Sequence, residues 1–148
     1  MIIRQASKCD IDDMVNLLEQ LFTIEEDYII DHSKQRAGLE LLIEQPGSSY
    51  ILVAESGEKV IGMLTAQMFI STAEGGKVAI LEDMVVDEKF RRQGIGKDLM
   101  KEMEKWAVQN NIKRIQLLAD KDNISALHFY DKLALKYTQL ICLRKYID

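Results

Sequence analysis

Cysteine, histidine and proline are scarce in this chain: two cysteines, two histidines and one proline among 148 residues. Cys9 and Cys142 stand alone, with neither metal-ligand nor redox spacing, so a disulfide framework is not expected and a reducing, cytoplasmic setting is. His32 and His128 cannot build a histidine-rich metal site, and no metal is expected. No apolar run approaches the roughly 18 residues a membrane span requires, so no membrane partner is expected. The opening MIIRQASKCD lacks the apolar core of a signal peptide. Positive charge is also in the minority, with 19 Lys and Arg against 24 Asp and Glu and a net charge of −5. A nucleic-acid binder is normally basic, so that partner class is disfavoured.

What remains suits one soluble enzyme-sized domain. With 47% hydrophobic residues, residues 1–148 can bury a single core and are too few for two ordinary domains. Strand formers occupy 2–6, 50–55, 60–69 and 77–86. Turns at Ser56-Gly57-Glu58-Lys59 and Glu74-Gly75-Gly76 separate the last three, which read as an antiparallel meander, with Gly62 a bulge or close-approach point. Helical spacing covers 11–22 behind a cap at Asp10. A second helix, 34–44, is expected behind Ser33, with Ala37, Leu41 and Leu42 inward and Pro46 as its stop. After a third helix, the strand 114–119 is reached by a crossover, which makes it parallel to 77–86. A short helix at 123–133 and a last strand at 138–146 complete the plan. Between Asp10 and Asp31 there are eight carboxylates and no Lys or Arg, a surface suited to a cation.

The stretch ILEDMVVDEKFRRQGIGK, residues 80–97, carries the chemistry. It runs from a strand through a basic, glycine-containing turn into a helix whose apolar positions are Leu99, Met100, Met103, Trp106 and Ala107. The unpaired N–H groups of a first helical turn and the helix dipole favour an anion there, and glycine lets the backbone approach closely. Two acids, Glu82 and Asp83, interrupt the apolar strand just ahead. A P-loop is a poor match, because Asp98 follows Gly96-Lys97 where Ser or Thr is needed. A dinucleotide fingerprint is also poor, with Leu99 in place of the third small residue.

The remaining pattern is Arg/Gln-x-x-Gly-x-Gly/Ala, here Arg91-Arg92-Gln93-Gly94-Ile95-Gly96. It resembles the acetyl-CoA loop of the GNAT N-acetyltransferase superfamily. The strand before it has the family's spacing, and a second motif follows: Asn123-Ile124-Ser125-Ala126-Leu127-His128-Phe129-Tyr130, similar to Asn-x-x-Ala-x-x-Phe-Tyr. The opening Ile3-Arg4-Gln5-Ala6 and Asp10 also resemble the family's start, so the likeness spans nearly the whole chain.

The resemblance implies an α+β, three-layer GNAT fold: a mixed, mostly antiparallel sheet with helices on both faces and splayed fourth and fifth strands. It implies acetyl-CoA as co-substrate, bound by backbone N–H groups from Gln93 through Gly94, Ile95 and Gly96 to Lys97, with charge from Arg91 and Arg92. Pantetheine would lie along Met84, Val85 and Val86 and be oriented by Asn123, and an N–H near Met84 or Val85 would face the thioester oxygen. Tyr130 matches the family's general acid, since a phenol with a pKa near 10 stays protonated at neutral pH. Glu82 is the candidate base, because it shares strand parity with Met84 and Val86, while Asp83 faces the other way unless a bulge switches it. His128 is expected on the helix surface. The acidic segment from Glu25 to Asp31, with Glu25, Glu26 and Tyr28, is placed at the acceptor site. The implied reaction is direct acetyl transfer to a primary amine, either a small cationic amine or a protein amine. The alternative is a non-catalytic acyl-CoA-binding module. Two departures stand out. Ala134 replaces the glycine usual past the tyrosine, at a cost of about 1 kcal/mol if φ is positive there. Only one C-terminal strand is legible where the family tends to have two, so completion by a partner chain, as a homodimer, is expected.

Overall fold

The structure, a computed structural model, describes residues 1–147. Its elements run β1 (Ile2–Gln5), α1 (Ile11–Ile24), α2 (His32–Ile43), β2 (Ser49–Ser56), β3 (Lys59–Ser71), β4 (Gly76–Val86), α3 (Ile95–Gln109), β5 (Ile115–Leu117) and α4 (Ile124–Lys132). The chain divides into two compact units, Met1–Leu117 and the residues from Leu118 onward.

The first unit holds a five-stranded sheet in the order β1-β2-β3-β4-β5. The β2–β3 hairpin closes through Gly57 and Glu58 at φ 55° and 64°, the left-handed pair whose twist suits a two-residue hairpin. β1 to β4 pair antiparallel, and β5, reached through α3, pairs parallel with β4, as the crossover rule predicts. Alternation along the strands sends apolar side chains to both faces. Ile51, Val53, Met63 and Val85 pack with Met14, Leu17 and Leu18 of α1 and Leu39 of α2. Toward the other face, the Tyr50 ring stacks on Trp106 of α3 at 4.9 Å. Gly62 is the predicted close-approach point: a methyl group there would meet Ile95 and Leu99 of α3 at 3.4 Å. A register shift lies beside it, between Ala54 and Glu55.

Two helix starts differ from expectation. Asp10 precedes α1, but its carboxylate turns back to the Ser7 N–H at 2.7 Å and to the Arg4 guanidinium at 2.7 and 2.8 Å. Arg4 also reaches Glu55, so one partly buried ion cluster ties β1, β2 and the start of α1 together. The hydrogen bonds from Arg4 hold Asp10 down to about 2. α2 is capped by Asp31, which accepts from the Lys34 N–H at 3.1 Å, and not by Ser33. Its buried positions are Gln35 and Leu39, whereas Ala37 and Leu41 are exposed. The helix is therefore rotated from the expected phase, which puts a glutamine on the inner face.

In the second unit, Asn123 caps α4 by accepting from the Ala126 N–H at 3.1 Å. The helix ends with Leu135 N–H on the Tyr130 carbonyl and Ala134 N–H on the Asp131 carbonyl. This is a Schellman turn whose left-handed residue is Ala134, at φ 63°. The last strand expected at 138–146 does not form. Alternation makes a strand possible, but only a ladder to a neighbouring edge makes one, and here Leu140, Ile141 and Leu143 are exposed.

Candidate active site

β4 carries an irregularity that the site is built on. Its register with β3 passes from Thr65↔Glu82 to Met63↔Val85. Leu64 therefore stands opposite two residues, Asp83 and Met84, which defines a bulge. Asp83 takes φ 51°, a left-handed conformation that costs a non-glycine residue about 1–2 kcal/mol. Leu81 and Val85 flank it and are buried to 2% and 5% exposure. Each contributes about 1.5–3 kcal/mol by burial, enough to hold the strained residue in place.

In a regular strand Glu82 and Asp83 would point to opposite faces. Here both line one cavity of about 510 Å³, so the simple parity reading, with Asp83 turned away, gives way to the bulge. Leu18 and Phe22 of α1, Gln35 and Leu39 of α2 and Gln67 of β3 line the same cavity. Glu82 is exposed, whereas Asp83 is half-buried. Asp83 is pushed up to about 6, first by burial and then by the charges of Glu82 and Glu25. The Thr65 hydroxyl opposes that shift: it lies 3.3 Å from Asp83 Oδ2 and 3.0 Å from the Glu82 carbonyl. The result is a carboxylate protonated one to two pH units below neutrality, in reach of a cavity.

The acidic segment enters this site unevenly. Glu25 is half-buried and acts on Asp83 electrostatically, and Ile29 and Asp31 line the cavity. Tyr28 stacks on the cavity residue Phe22 at 5.0 Å. Glu26 is exposed and does not line the cavity. Lys34 lines it too, 3.9 Å from Asp31, so the carboxylates outweigh the positive charge there.

Past the C-terminal end of β4, beyond the bulge, lies the basic turn. Arg91 folds its guanidinium back onto the Val86 carbonyl at 3.0 Å. Arg92 and Gly94 are left-handed, at φ 62° and 83°. Gly94 is the N-cap of α3 and has no side chain to close the helix end, and a Cβ added to it would meet nothing within 4 Å. The first N–H groups of α3, from Ile95 to Lys97, have no intrahelical acceptor by helix geometry. Ile95 is buried to 3% exposure and pins this turn to the sheet. The β4–β5 ladder runs from Ala79↔Ile115 to Leu81↔Leu117 and stops there, while β4 continues through Met84, Val85 and Val86. These features fit the pyrophosphate and arm of a coenzyme A thioester.

The second unit presents the other two predicted residues. Asn123 serves as the helix cap already described. Tyr130 is half-buried, with its ring edge-on to Phe129 at 5.3 Å. His128 is exposed, as expected. Among the described residues, no group of three His, Cys, Asp or Glu side chains is placed to hold a metal ion. Among the same residues, no helix is long and apolar enough to cross a membrane.

The family model described as "Acetyltransferase (GNAT) family" matches residues 11–134. The chain belongs to the GNAT acetyltransferase family. An uncharacterized N-acetyltransferase of Archaeoglobus fulgidus is 28% identical over 131 residues, covering 88% of this chain and 89% of that one. The fold is shared with an aminoglycoside acetyltransferase from an uncultured soil metagenomic sample, at TM-score 0.81 and 24% identity over 99% of this chain and 96% of the other. It is also shared with glucosamine-6-phosphate N-acetyltransferase of Arabidopsis thaliana, at TM-score 0.76 and 22% identity over 99% and 98%. The mixed sheet, the helices on both faces and the short parallel β4–β5 ladder are those of a GNAT enzyme. Sequence reasoning misses the polar cavity residues Lys34, Gln35 and Gln67, and Thr65, which contacts Asp83; Gln35 is the most buried of the three that line the cavity. The signal for Gln35 is a polar residue four positions before Leu39 on the face that α2 buries.

Proposed function

We propose that this GNAT chain moves the acetyl group of acetyl-CoA onto a primary amine within one ternary complex, with residues 1–148 acting as a single domain. The observation that carries the reading is the C-terminal part of β4. Its bulge turns Glu82 and Asp83 into a net-negative cavity, and the strand then runs on through Val86 into the turn that forms the anion cradle.

Backbone N–H groups from Gln93 to Lys97, with Arg91 and Arg92, hold the pyrophosphate, and Met84, Val85 and Val86 align the pantetheine arm; the match of Asn123 to the family motif supports a role for it in orienting that arm. Asp83 takes the proton that the attacking amine loses. It is preferred to Glu82 because its raised pKa, about 6, brings it closer to the operating pH, where a general base works best. The amine nitrogen bonds to the acetyl carbon as the carbon–sulfur bond breaks, and the Tyr130 hydroxyl donates a proton to the departing sulfur. Neither Cys9 nor Cys142 lines the cavity, which favours direct attack over an acyl-enzyme. Glu25 and Tyr28, near Asp83 and Phe22, serve the acceptor side, with Glu26 at most a distant charge. The exposed apolar residues Leu140, Ile141 and Leu143 support a homodimer, which light scattering would test. The isolated, free cysteines support a cytoplasmic setting.

The test is free-thiol release from acetyl-CoA across a panel of small amines and lysine peptides. Amine-dependent release is expected. Acetyl-CoA binding with no release for any amine would overturn the reading.

A further inference from the structure

Gln35 is 9% exposed and lines the cavity, yet neither Nε2 nor Oε1 of its carboxamide has a hydrogen-bond partner among the described residues. Buried polar groups are almost always bonded, and one left unsatisfied is costly enough to need an explanation. The surroundings deepen the anomaly. Leu39, one turn further along α2, is 2% exposed, and Leu18 and Phe22 of α1 line the same cavity. Leucine or methionine would suit such a place at no polar cost. The glutamine carries a donor and an acceptor side by side, both unpaired, on a residue that lines the cavity.

We propose that Gln35 is a specificity residue, and that the acceptor is a primary amine bearing, away from the amine, a neutral group with an adjacent donor and acceptor. A primary carboxamide and a vicinal diol both present that pair. A polyamine does not: its second ammonium has donors only and would leave Nε2 facing another N–H. The inference rests on the cavity being the acceptor site, as proposed above. In that frame the amine lies toward Glu82 and Asp83, the carbon frame against Leu18 and Phe22, and the neutral pair on Gln35.

The experiment compares four amines with the full-length protein: 6-aminohexanamide, glucosamine, hexylamine and cadaverine. The wild type is expected to favour the first or second over the last two by tenfold or more in kcat/KM, because unmatched buried polar groups in the site penalise ligands that cannot pair with them. Gln35→Met, close in shape and apolar, should reduce that preference to within about threefold, by lowering kcat/KM for the first two amines and raising it for hexylamine. Gln35→Glu, which loses the donor, should shift the ranking toward cadaverine. Preference for the carboxamide over the sugar, or the reverse, identifies which source of the donor–acceptor pair is bound. A wild type that favours cadaverine or hexylamine overturns the inference, as does an unchanged ranking in Gln35→Met. If no amine is acetylated, the proposed reaction fails instead. The same ranking is then read by saturation-transfer NMR of amine binding without acetyl-CoA, and equal or absent binding of the four overturns the role of Gln35.

Discussion

The cradle after β4 is made of main chain, whereas the cavity beside its bulge is made of side chains drawn from α1, α2, β3 and β4. At Gly94 the requirement is conformational: φ 83° and no Cβ, so that consecutive N–H groups lie bare. At Asp83 it is environmental: burial and neighbouring carboxylates raise the pKa of a group that would otherwise be a weak base. A backbone site tolerates changes in side-chain identity and fails when its dihedrals change. A side-chain site behaves the other way round. The two should therefore respond differently to substitution: cradle changes should act on acetyl-CoA binding, and cavity changes on chemistry and pH dependence.

The sharpest separation is expected from Asp83→Asn. Loss of a general base costs about 10²–10⁴-fold in turnover. The KM for acetyl-CoA should stay near the wild-type value, because Asp83 lies outside the cradle. The pH profile gives a second readout. With the carboxyl raised to about 6, its basic form dominates above that pH, so the wild-type rate should climb through about 6 and the variant should lose that limb. Stability should run oppositely. Between the ordinary 3.8 and about 6 the folded chain binds the extra proton, so stability falls as pH rises across that window and levels off above it. Retention of both rate and limb would return the role to Glu82 or to water.

Tyr130→Phe removes the proposed proton donor while keeping the ring. A fall of about 10²-fold in kcat is expected, at the low end of general-acid effects because water can substitute. Turnover at the wild-type level would leave Tyr130 as an aromatic of α4. Smaller again is Gly94→Ala. The Cβ meets no neighbour, so the cost is the left-handed φ alone, about 1–2 kcal/mol. That corresponds to a KM for acetyl-CoA raised about 5- to 30-fold with kcat nearly constant. A change in kcat instead would mean that the two regions are not separable in this way.

The same contrast accounts for what could be read in the sequence. The cradle is local: Arg91 to Lys97 are consecutive, and a glycine before a helical pattern states its own dihedral. The parallel placement of β5 followed from one crossover. The bulge at Asp83 has no glycine or proline to mark it, because its strain is held by burial of Leu81 and Val85, which depends on partners far away in the chain. Gln35 is hidden in the sequence for a related reason. The apolar residues Ala37, Leu41 and Leu42 suggest a face for α2; packing keeps Leu42 against the core but centres the buried face on Gln35 and Leu39, leaving Ala37 and Leu41 exposed. The strand expected at 138–146 had the right alternation and lacked the neighbouring edge that a ladder needs.

The finest test of the cavity is Thr65→Val, which keeps the side-chain shape and deletes the hydroxyl. Thr65 is 1% exposed, so water cannot easily replace the lost group. Its oxygen lies 3.3 Å from Asp83 Oδ2, and its effect is to lower the carboxyl's pKa against the burial and the charges of Glu82 and Glu25. Removing it should move the acid limb of the rate profile upward from about 6, by less than a full unit because the contact is long and the hydroxyl is shared with the Glu82 carbonyl. At pH 8 the rate should be almost unaffected, since the base is then ionised with or without the hydroxyl. At pH 6 it should drop severalfold, and the KM for acetyl-CoA should not move at either pH. A uniform loss at both pH values would point instead to a displaced bulge, with Thr65 acting through the backbone of Glu82 and not through the charge of Asp83.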